Sequence, residues 1–356
     1  MDNSFCLAVG KHRQAILRHF KFKHFQYVTE IKRINSTTGA NGLIHLLAYE
    51  HSGYDACAVL KSSTDETADN LLYEFIVGLF INKLNQTYRC FIETFGIYTY
   101  ATRASYDHFK ALKQMNVAQE DLTNHLKPML KVDMVGACRN PTATCILIQC
   151  LPDTKSLYDK MGSDEFVRDH LHVVLYQIYY VLAKVAGYFT HYDLHLDNIL
   201  IMYLPEKTHF SYGVSFESRH LAKIIDYGRC FFNDPSSKGP FSSSPDFYKL
   251  LCNECNHCGE NNGFNWFKTG SSKYYLNSTK HNQSHDLLAL SQLRNLFGKR
   301  IKSLNPRLHA LLQKLNYEKD FGTPHLLLKN NRINSVFDAG MELEKLMRPN
   351  RKTRRA

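Results

Sequence analysis

His191-Tyr192-Asp193-Leu194-His195-Leu196-Asp197-Asn198 is followed at once by an apolar run, Ile199-Leu200-Ile201. The stretch sets a histidine two residues before a carboxylate, Asp193, and an amide, Asn198, five residues after it. That spacing suits one chemistry. A carboxylate accepts or orients the proton of an attacking hydroxyl, while an amide five residues on coordinates a metal ion beside the same phosphates. The apolar run reads as a strand that begins where the loop ends.

Working outward, the same chemistry needs further parts, and the chain carries them in order. Asp226-Tyr227-Gly228 follows the mostly apolar run Leu221 to Ile225 and reads as a metal-binding turn after a strand. Upstream, Ala56-Cys57-Ala58-Val59-Leu60-Lys61 reads as a strand ending in a lysine, and Glu74 comes thirteen residues later. Ser63-Thr64-Asp65-Glu66 has the spacing of a capping box, and Leu71, Leu72, Phe75, Ile76, Leu79 and Phe80 then define one face of a helix. A strand lysine braced by a helix glutamate is the arrangement that reaches nucleotide phosphates. Before it, Ser36-Thr37-Thr38-Gly39-Ala40-Asn41-Gly42 keeps G-x-x-G, enough for a tight turn over phosphates but short of the full glycine-rich pattern. Each piece alone has a plainer reading: a Lys–Glu pair is usually a surface ion pair, and D-x-G is usually a turn. The order of the set is what carries the argument.

Three more helices are expected. One starts near Ser163, carries Phe166, Val167, Leu171, Val174, Leu175, Ile178, Leu182 and Val185, and ends at Gly187 as a C-cap. Another begins near Asp286 with Leu287, Leu290, Leu293 and Phe297; the last, from about Ser335, has Phe337, Met341, Leu343 and Leu346. A strand-rich part runs to about Leu151, and Gln149-Cys150-Leu151-Pro152-Asp153 reads as the linker to a helix-rich part.

At these residues the chain resembles the protein-kinase-like superfamily over about residues 30–300. Within it the chain is most similar to the divergent serine/threonine kinase-like proteins of large cytoplasmic DNA viruses. That likeness lies in Tyr73-Glu74-Phe75-Ile76-Val77-Gly78, Cys90-Phe91-Ile92-Glu93-Thr94-Phe95-Gly96 and Tyr192-Asp193-Leu194-His195-Leu196-Asp197-Asn198. The resemblance implies an α+β, two-lobed protein-kinase-like fold: a small antiparallel-sheet N-lobe with one helix at 31–151, and a larger helical C-lobe at 152–340 with insertions near 205–220 and 232–284. A basic extension, 1–30, and a basic tail, 341–356, would flank them. It implies ATP and Mg²⁺ (or Mn²⁺) as cofactors. Lys61, Gly39, Gly42, Gln149 and Leu151 would contact the nucleotide, Glu74 would brace Lys61, Asp193 would be the catalytic base, and Asn198 and Asp226 the metal ligands. Asp286 sits where a buried aspartate holds the catalytic loop's backbone; a plain helix N-cap is the other reading.

Three departures bear on function. His195 stands where protein serine/threonine kinases carry a lysine, and H-x-D-x-H-x-x-N is also the pattern of small-molecule kinases such as aminoglycoside phosphotransferases and choline kinases. As a catalytic candidate, His195 would stabilise the γ-phosphate less than an ammonium and make the rate pH-sensitive. No clear A-P-E follows; Ser244-Pro245-Asp246 is the nearest substitute. From Asn198 to Asp226 the chain runs 28 residues, longer than a short hairpin. The leading expectation is therefore an ATP-dependent kinase of protein Ser/Thr hydroxyls. The alternatives are a small-molecule phosphotransferase and a non-catalytic kinase-fold binding or virion protein.

Composition sets the frame. The chain has 356 residues, 44% hydrophobic and 12% aromatic, enough for a large core and incompatible with a disordered chain. Its most apolar run, Val173 to Ala183, contains Gln177 and is about half the ~20 residues of a membrane span. No signal-peptide layout is evident. The ten cysteines read as mostly free thiols of an intracellular protein, cytoplasmic in the host cell, virion-associated or nuclear by the resemblance. Cys252, Cys255 and Cys258 have a spacing that can wrap Zn²⁺, with His257, His281, His285 or a distant cysteine as fourth ligand; free cysteines in a loop are the other reading. The net charge is +11. Residues 1–33 hold seven Lys/Arg against two acids, and 341–356 hold six against two, so nine of the eleven charges lie at the ends. Those ends, not the core, would touch nucleic acid or another polyanion.

Overall fold

The computed structural model describes residues 25, 27–34, 42–51, 54–63, 71–117, 119–129, 141–151, 153–252, 266–269, 272–275, 280–317 and 331–348. Gly39 and most of the glycine turn, the rest of the capping box after Ser63, His257, Cys255, Cys258, and the chain before residue 25 and after residue 348 lie outside them. The chain divides into two units, one reaching Pro152 and joined by Gly239–Phe241 and the residues from Pro245, the other starting at Asp153. The segment of the first unit that begins at Pro245 ends at Asn262.

In the first unit, β1 (Val28–Arg33), β2 (Leu43–His51), β3 (Tyr54–Ser62), β4 (Thr94–Tyr100), β5 (Gln114–Asn116), β6 (Leu126–Pro128) and β7 (Thr144–Gln149) form one sheet. Its order is β5-β1-β2-β3-β7-β4-β6, and all neighbours are antiparallel. Successive side chains of a strand point to opposite faces. Leu43 and Leu47 of β2 and Ala58 and Leu60 of β3 enter an apolar cluster with Ile31, Tyr98 and Leu147. Phe109 of helix α2 (Arg103–Ala111) and Leu122 of α3 (Gln119–His125) complete that cluster. These two helices correct the expectation of a single helix here. Thr102 starts α2 by accepting the Ser105 N–H at 3.1 Å, a cap worth about 1 kcal/mol. Helix α1 (Leu71–Leu84) is buried almost all round, yet Leu79, expected inside, is 45% exposed. Gly42 opens β2 with φ +79°, and a Cβ there would meet the Ser62 carbonyl oxygen at 2.4 Å. Strand pairing alone therefore demands this glycine.

Cys57 and Cys150 form a disulfide with Cα atoms 5.5 Å apart. They flank the antiparallel pair Ala58–Gln149 on β3 and β7, so register brings two thiols opposite each other. This pair is an exception to the expectation of mostly free thiols; among the described residues Cys90, Cys145 and Cys230 are buried and form no disulfide.

The second unit begins with β8 (Lys155–Ser156) and α4 (Leu157–Lys160). A π-helical turn (Phe166–His170) then leads into α5 (Leu171–Val185). The Ser163 hydroxyl caps this run at the Phe166 N–H. It ends on Ala186 in right-handed geometry, and Gly187 has no positive φ, so the expected glycine cap is not used. β9 (Phe189–Thr190), a 3-10 turn (Leu196–Asn198), β10 (Ile199–Tyr212), β11 (Val214–Ile224) and β12 (Phe231–Phe232) follow. The expected insertion near 205–220 is the far end of the β10–β11 hairpin, turned at Gly213 with φ +73°. Aromatic packing supports that end: Tyr212 stacks on Tyr180, Phe210 on Phe216, and the Tyr176 hydroxyl donates to the Tyr212 carbonyl. The expected insertion 232–284 contains α6 (Ser244–Cys252), which from Pro245 belongs to the first unit, and the hairpin of β13 (Trp266–Thr269) and β14 (Ser272–Tyr275), which belongs to the second.

Helices α7 (Leu288–Leu304), α8 (Pro306–Gln313) and α9 (Val336–Met347) complete the unit. Helix α9 approaches α5 at Gly340, where a Cβ would lie 3.2 Å from the Tyr179 carbonyl oxygen. Its Phe337 and Met341, expected in the core, are 43% and 58% exposed. The basic tail does not begin at 341, because Leu343 is buried in α9. Glu342 of α9 pairs with Lys345 and, across to the end of α8, with Lys314, while Glu344 pairs with Arg348. The N-terminal extension likewise stops short of residue 30, since β1 starts at Val28. The fold is thus α+β with antiparallel sheets. Among the described residues no helix is long and apolar enough to cross a membrane.

Candidate active site

Two groups of side chains stand out, one in each unit. In the first, Ala58 and Leu60 face the apolar cluster, so Lys61 emerges from the opposite face of β3. There its Nζ meets Glu74 Oε2 of α1 at 2.8 Å, with both side chains at least 94% buried. A buried ion pair holds only when well made, since each charge has given up its hydration. Gln149 is fully buried; its side-chain oxygen accepts the Glu93 N–H at 3.2 Å, and its own N–H donates to the Glu93 carbonyl. Leu151, after β7, is half-buried.

The second group is built around residues 191–198. Asp286, in a 3-10 turn (His285–Leu287) that leads into α7, is buried. Its two carboxylate oxygens accept the backbone N–H groups of His191 at 2.7 Å and Tyr192 at 2.9 Å. Burial pushes the Asp286 carboxyl up to about 7, against the pull of those two donors. Asp286 is thus a fastening for the loop and not merely a helix cap. Tyr192 has φ +62° and Asp226 φ +68°, conformations that cost a non-glycine residue on the order of 1 kcal/mol and cluster at functional sites. Tyr192 is held in place at its far end too, where its hydroxyl donates to the Lys280 carbonyl at 2.7 Å.

His191 bridges the loop to the Asp226 turn. Its Nε2 lies 2.9 Å from the Ile225 carbonyl oxygen, and its Nδ1 accepts the Asp193 N–H at 3.3 Å. This fixes the tautomer with the proton on Nε2. Burial lowers its pKa and keeps it neutral. Gln292 of α7 holds the next turn by accepting the Leu196 N–H. The Asn198 side-chain NH₂ donates to the Asp193 carbonyl at 2.8 Å, which turns its Oδ1 the other way. The Ile225 N–H donates to the Asn198 carbonyl, and Ile199 pairs with Ile224. Strand register therefore sets Asn198 beside the turn that carries Asp226, although the two are 28 positions apart. Tyr227 is buried, with its hydroxyl on the Ile224 carbonyl.

His195 has a local task. Its Nδ1 accepts the Asp197 N–H at 3.2 Å and caps the 3-10 turn. Arg229, to which no sequence pattern pointed, has Nη1 at 3.4 Å from Asp193 Oδ2. His191 and Gln292 also escaped the sequence reading as supports, because their roles depend on contacts 34 and 96 residues away.

Oxygen donors from Asn198 and Asp226 suit a hard cation such as Mg²⁺, which takes one or two carboxylates and completes its shell with water and phosphate. Among the described residues no group of three or more His, Cys, Asp or Glu side chains is placed to hold a metal. Of the zinc candidates, Cys252 ends α6, while Cys255 and Cys258 are outside the described residues. Ser244-Pro245-Asp246 opens α6, and the Ser244 hydroxyl accepts the Phe232 N–H at 2.8 Å. Compared with known proteins, the chain matches no family model and no curated relative.

Proposed function

We propose that the protein is an ATP- and Mg²⁺-dependent phosphotransferase of two-lobed protein-kinase-like fold, acting on Ser/Thr hydroxyls of protein substrates. One observation carries this reading: Asp193, Asn198 and the Asp226 turn are drawn together by hairpin register, on a loop whose strained backbone is fastened by Asp286. A chain that used this loop and turn only for folding would have little reason to hold Tyr192 and Asp226 at positive φ.

In this reading the acceptor hydroxyl oxygen forms a bond to the γ-phosphorus as the bond from that phosphorus to the β–γ bridging oxygen breaks. The electron pair leaves on ADP, and the hydroxyl proton passes to Asp193. Lys61, oriented by Glu74, binds the α- and β-phosphates. Asn198 and Asp226 would hold the Mg²⁺, which neutralises charge on the phosphates when bound. The histidine at position 195 keeps a small-molecule acceptor as the second reading. Basic residues at the ends of the chain would serve polyanion contacts.

The test is radiolabelled ATP with purified protein, with and without a basic protein acceptor and a panel of amino-alcohols and sugars, alongside Asp193→Asn. Loss of about 10²-fold or more in the variant is expected, as for removal of a group that acts on the reacting atoms. Equal labelling by wild type and variant removes the reading. Labelling of small molecules alone favours the second one.

A further inference from the structure

We propose that Arg229 supplies the positive charge to the transferring phosphoryl group that position 195 does not. The inference rests on the phosphotransfer reading above and names a further residue of that site.

His195 is poorly suited to the task in this fold. Its Nδ1 accepts the Asp197 N–H, so that nitrogen carries a lone pair, and the bond belongs to the neutral ring. A ring protonated on Nδ1 would exchange this cap for the Asp197 carboxylate, whose Oδ2 lies 3.9 Å away, so that nitrogen stays engaged with Asp197 either way. Among the described residues, the cation paired with the Asp193 carboxylate is Arg229, at 3.4 Å. Both side chains are 21% exposed, so the pair is sheltered yet open to a ligand.

The chain holds Arg229 from both sides. Before it, Tyr227 is buried and its hydroxyl is bonded to the Ile224 carbonyl. After it, the Cys230 N–H donates to the Tyr227 carbonyl at 3.2 Å, and Phe231 pairs with Thr190. The guanidinium therefore projects from a turn clamped between two strands, three residues beyond Asp226. Its distance to Asp193 exceeds the roughly 2.7–2.9 Å of a tight charge-assisted bond. A guanidinium has five N–H donors in a planar fork and stays charged at any working pH. It can keep one donor on Asp193 and turn others to phosphate oxygens. In the transfer step it forms and breaks no covalent bond. It donates hydrogen bonds to the equatorial oxygens of the γ-phosphoryl group while the bond to the acceptor oxygen forms, the bridging bond to ADP breaks and Asp193 takes the proton.

The experiment compares wild type, Arg229→Ala, Arg229→Gln, Arg229→Lys and His195→Ala, with thermal melts to confirm folding. Turnover, KM for ATP, and calorimetric affinities for ATP and for ADP are measured, and guanidinium ion is added to the alanine variant. Arg229→Ala or Arg229→Gln is expected to lower kcat by about 10²-fold or more, to lose most of the preference for ATP over ADP, and to regain activity with guanidinium. His195→Ala is expected to cost less than tenfold. The proposal is overturned if both Arg229 variants fold and stay within threefold of wild type. It is also overturned if they lose activity with an unchanged ATP-to-ADP preference and no rescue, the mark of a merely structural pair. Should wild type transfer no label, the phosphotransfer reading fails separately, and the ATP-against-ADP affinities still decide whether Arg229 meets the γ-phosphate. Binding of neither nucleotide overturns both.

Discussion

Asp286 and Tyr192 lie 94 residues apart in the chain, and the carboxylate of one accepts the backbone N–H of the other at 2.9 Å. With the second bond to His191, this lets a single buried side chain set the course of the loop that carries Asp193. Asp286→Asn keeps the shape but turns an NH₂ toward one of two N–H donors, leaving a buried donor unmatched at a cost of about 1–3 kcal/mol. Because the folded carboxyl titrates near 7, above its unfolded value of 3.8, its favourable contribution is complete below pH 3.8 and lost as pH rises through 7. The wild-type advantage over Asp286→Asn should therefore shrink between pH 5 and pH 8, by an amount on the order of 2 kcal/mol. Urea unfolding of both proteins at the two pH values reads it. A gap that does not change with pH would show that Asp286 does not titrate in this window.

The Lys61–Glu74 pair separates a structural cost from a functional one. Removing one partner, as in Lys61→Met or Glu74→Gln, strands a charge in the interior, and about 3–5 kcal/mol of stability should go with it. The double variant Lys61→Met/Glu74→Leu should recover most of that stability. It should not recover phosphotransfer, because the lysine charge is still missing. Denaturation midpoints set beside label incorporation check both halves; a double variant with restored activity would remove Lys61 from the reaction.

Acid should weaken the protein through buried histidines. His45 is fully buried on β2, and burial first, then the charge of Arg33, pull it from 6.5 down to about 4. Its neutral form favours folding, so its contribution is complete above 6.5 and lost as pH falls toward 4, amounting to about 3 kcal/mol. His220, beside His170 at 4.4 Å, is also lowered to about 4, by burial first. His45→Leu should flatten the acid side of the stability curve between pH 6.5 and 4. A curve parallel to that of wild type would contradict the shift.

The Cys57–Cys150 bond closes a long stretch of chain, with a sequence separation of 93. Restricting so large a loop in the unfolded state is worth about 2–4 kcal/mol. Cys57→Ser, or reduction of the wild type, should lower the unfolding free energy by that amount in urea. Equal midpoints with and without reductant would show that the two thiols do not bond in solution.

How much of this was legible follows from the range of each interaction. Lys61 and Glu74 were readable because a strand end and one helix turn set their positions locally. Asn198 and Asp226 could be picked out by type, but not their neighbourhood, since the pairing of Ile199 with Ile224 is a matter of long-range register. Arg229 carried no signal, because nothing in its spacing says which way an arginine after Gly228 will point. The opposed cysteines escaped for the same reason: two strands had to be paired before two thiols could be. Helical periodicity overstated the core at Leu79, Phe337 and Met341, where the apolar stripe is wider than the surface that covers it. Helices α2 and α3 were missed because they are short and largely polar in sequence, with only a few apolar residues, Phe109 and Leu122 among them, that join the cluster on the sheet.

The β10–β11 hairpin has a consequence for how this chain could change over time. Asn198 and Asp226 are neighbours because they sit at the open end of the β10–β11 hairpin, where β8 also pairs with β10, and everything between them lies toward its closed end at Gly213. Residues gained or lost in matched pairs at the closed end leave the open end as it was. The length of the hairpin is thus separable from the placement of Asn198 and Asp226 at its base, and what constrains it is the packing of its closed end on Tyr176 and Tyr180.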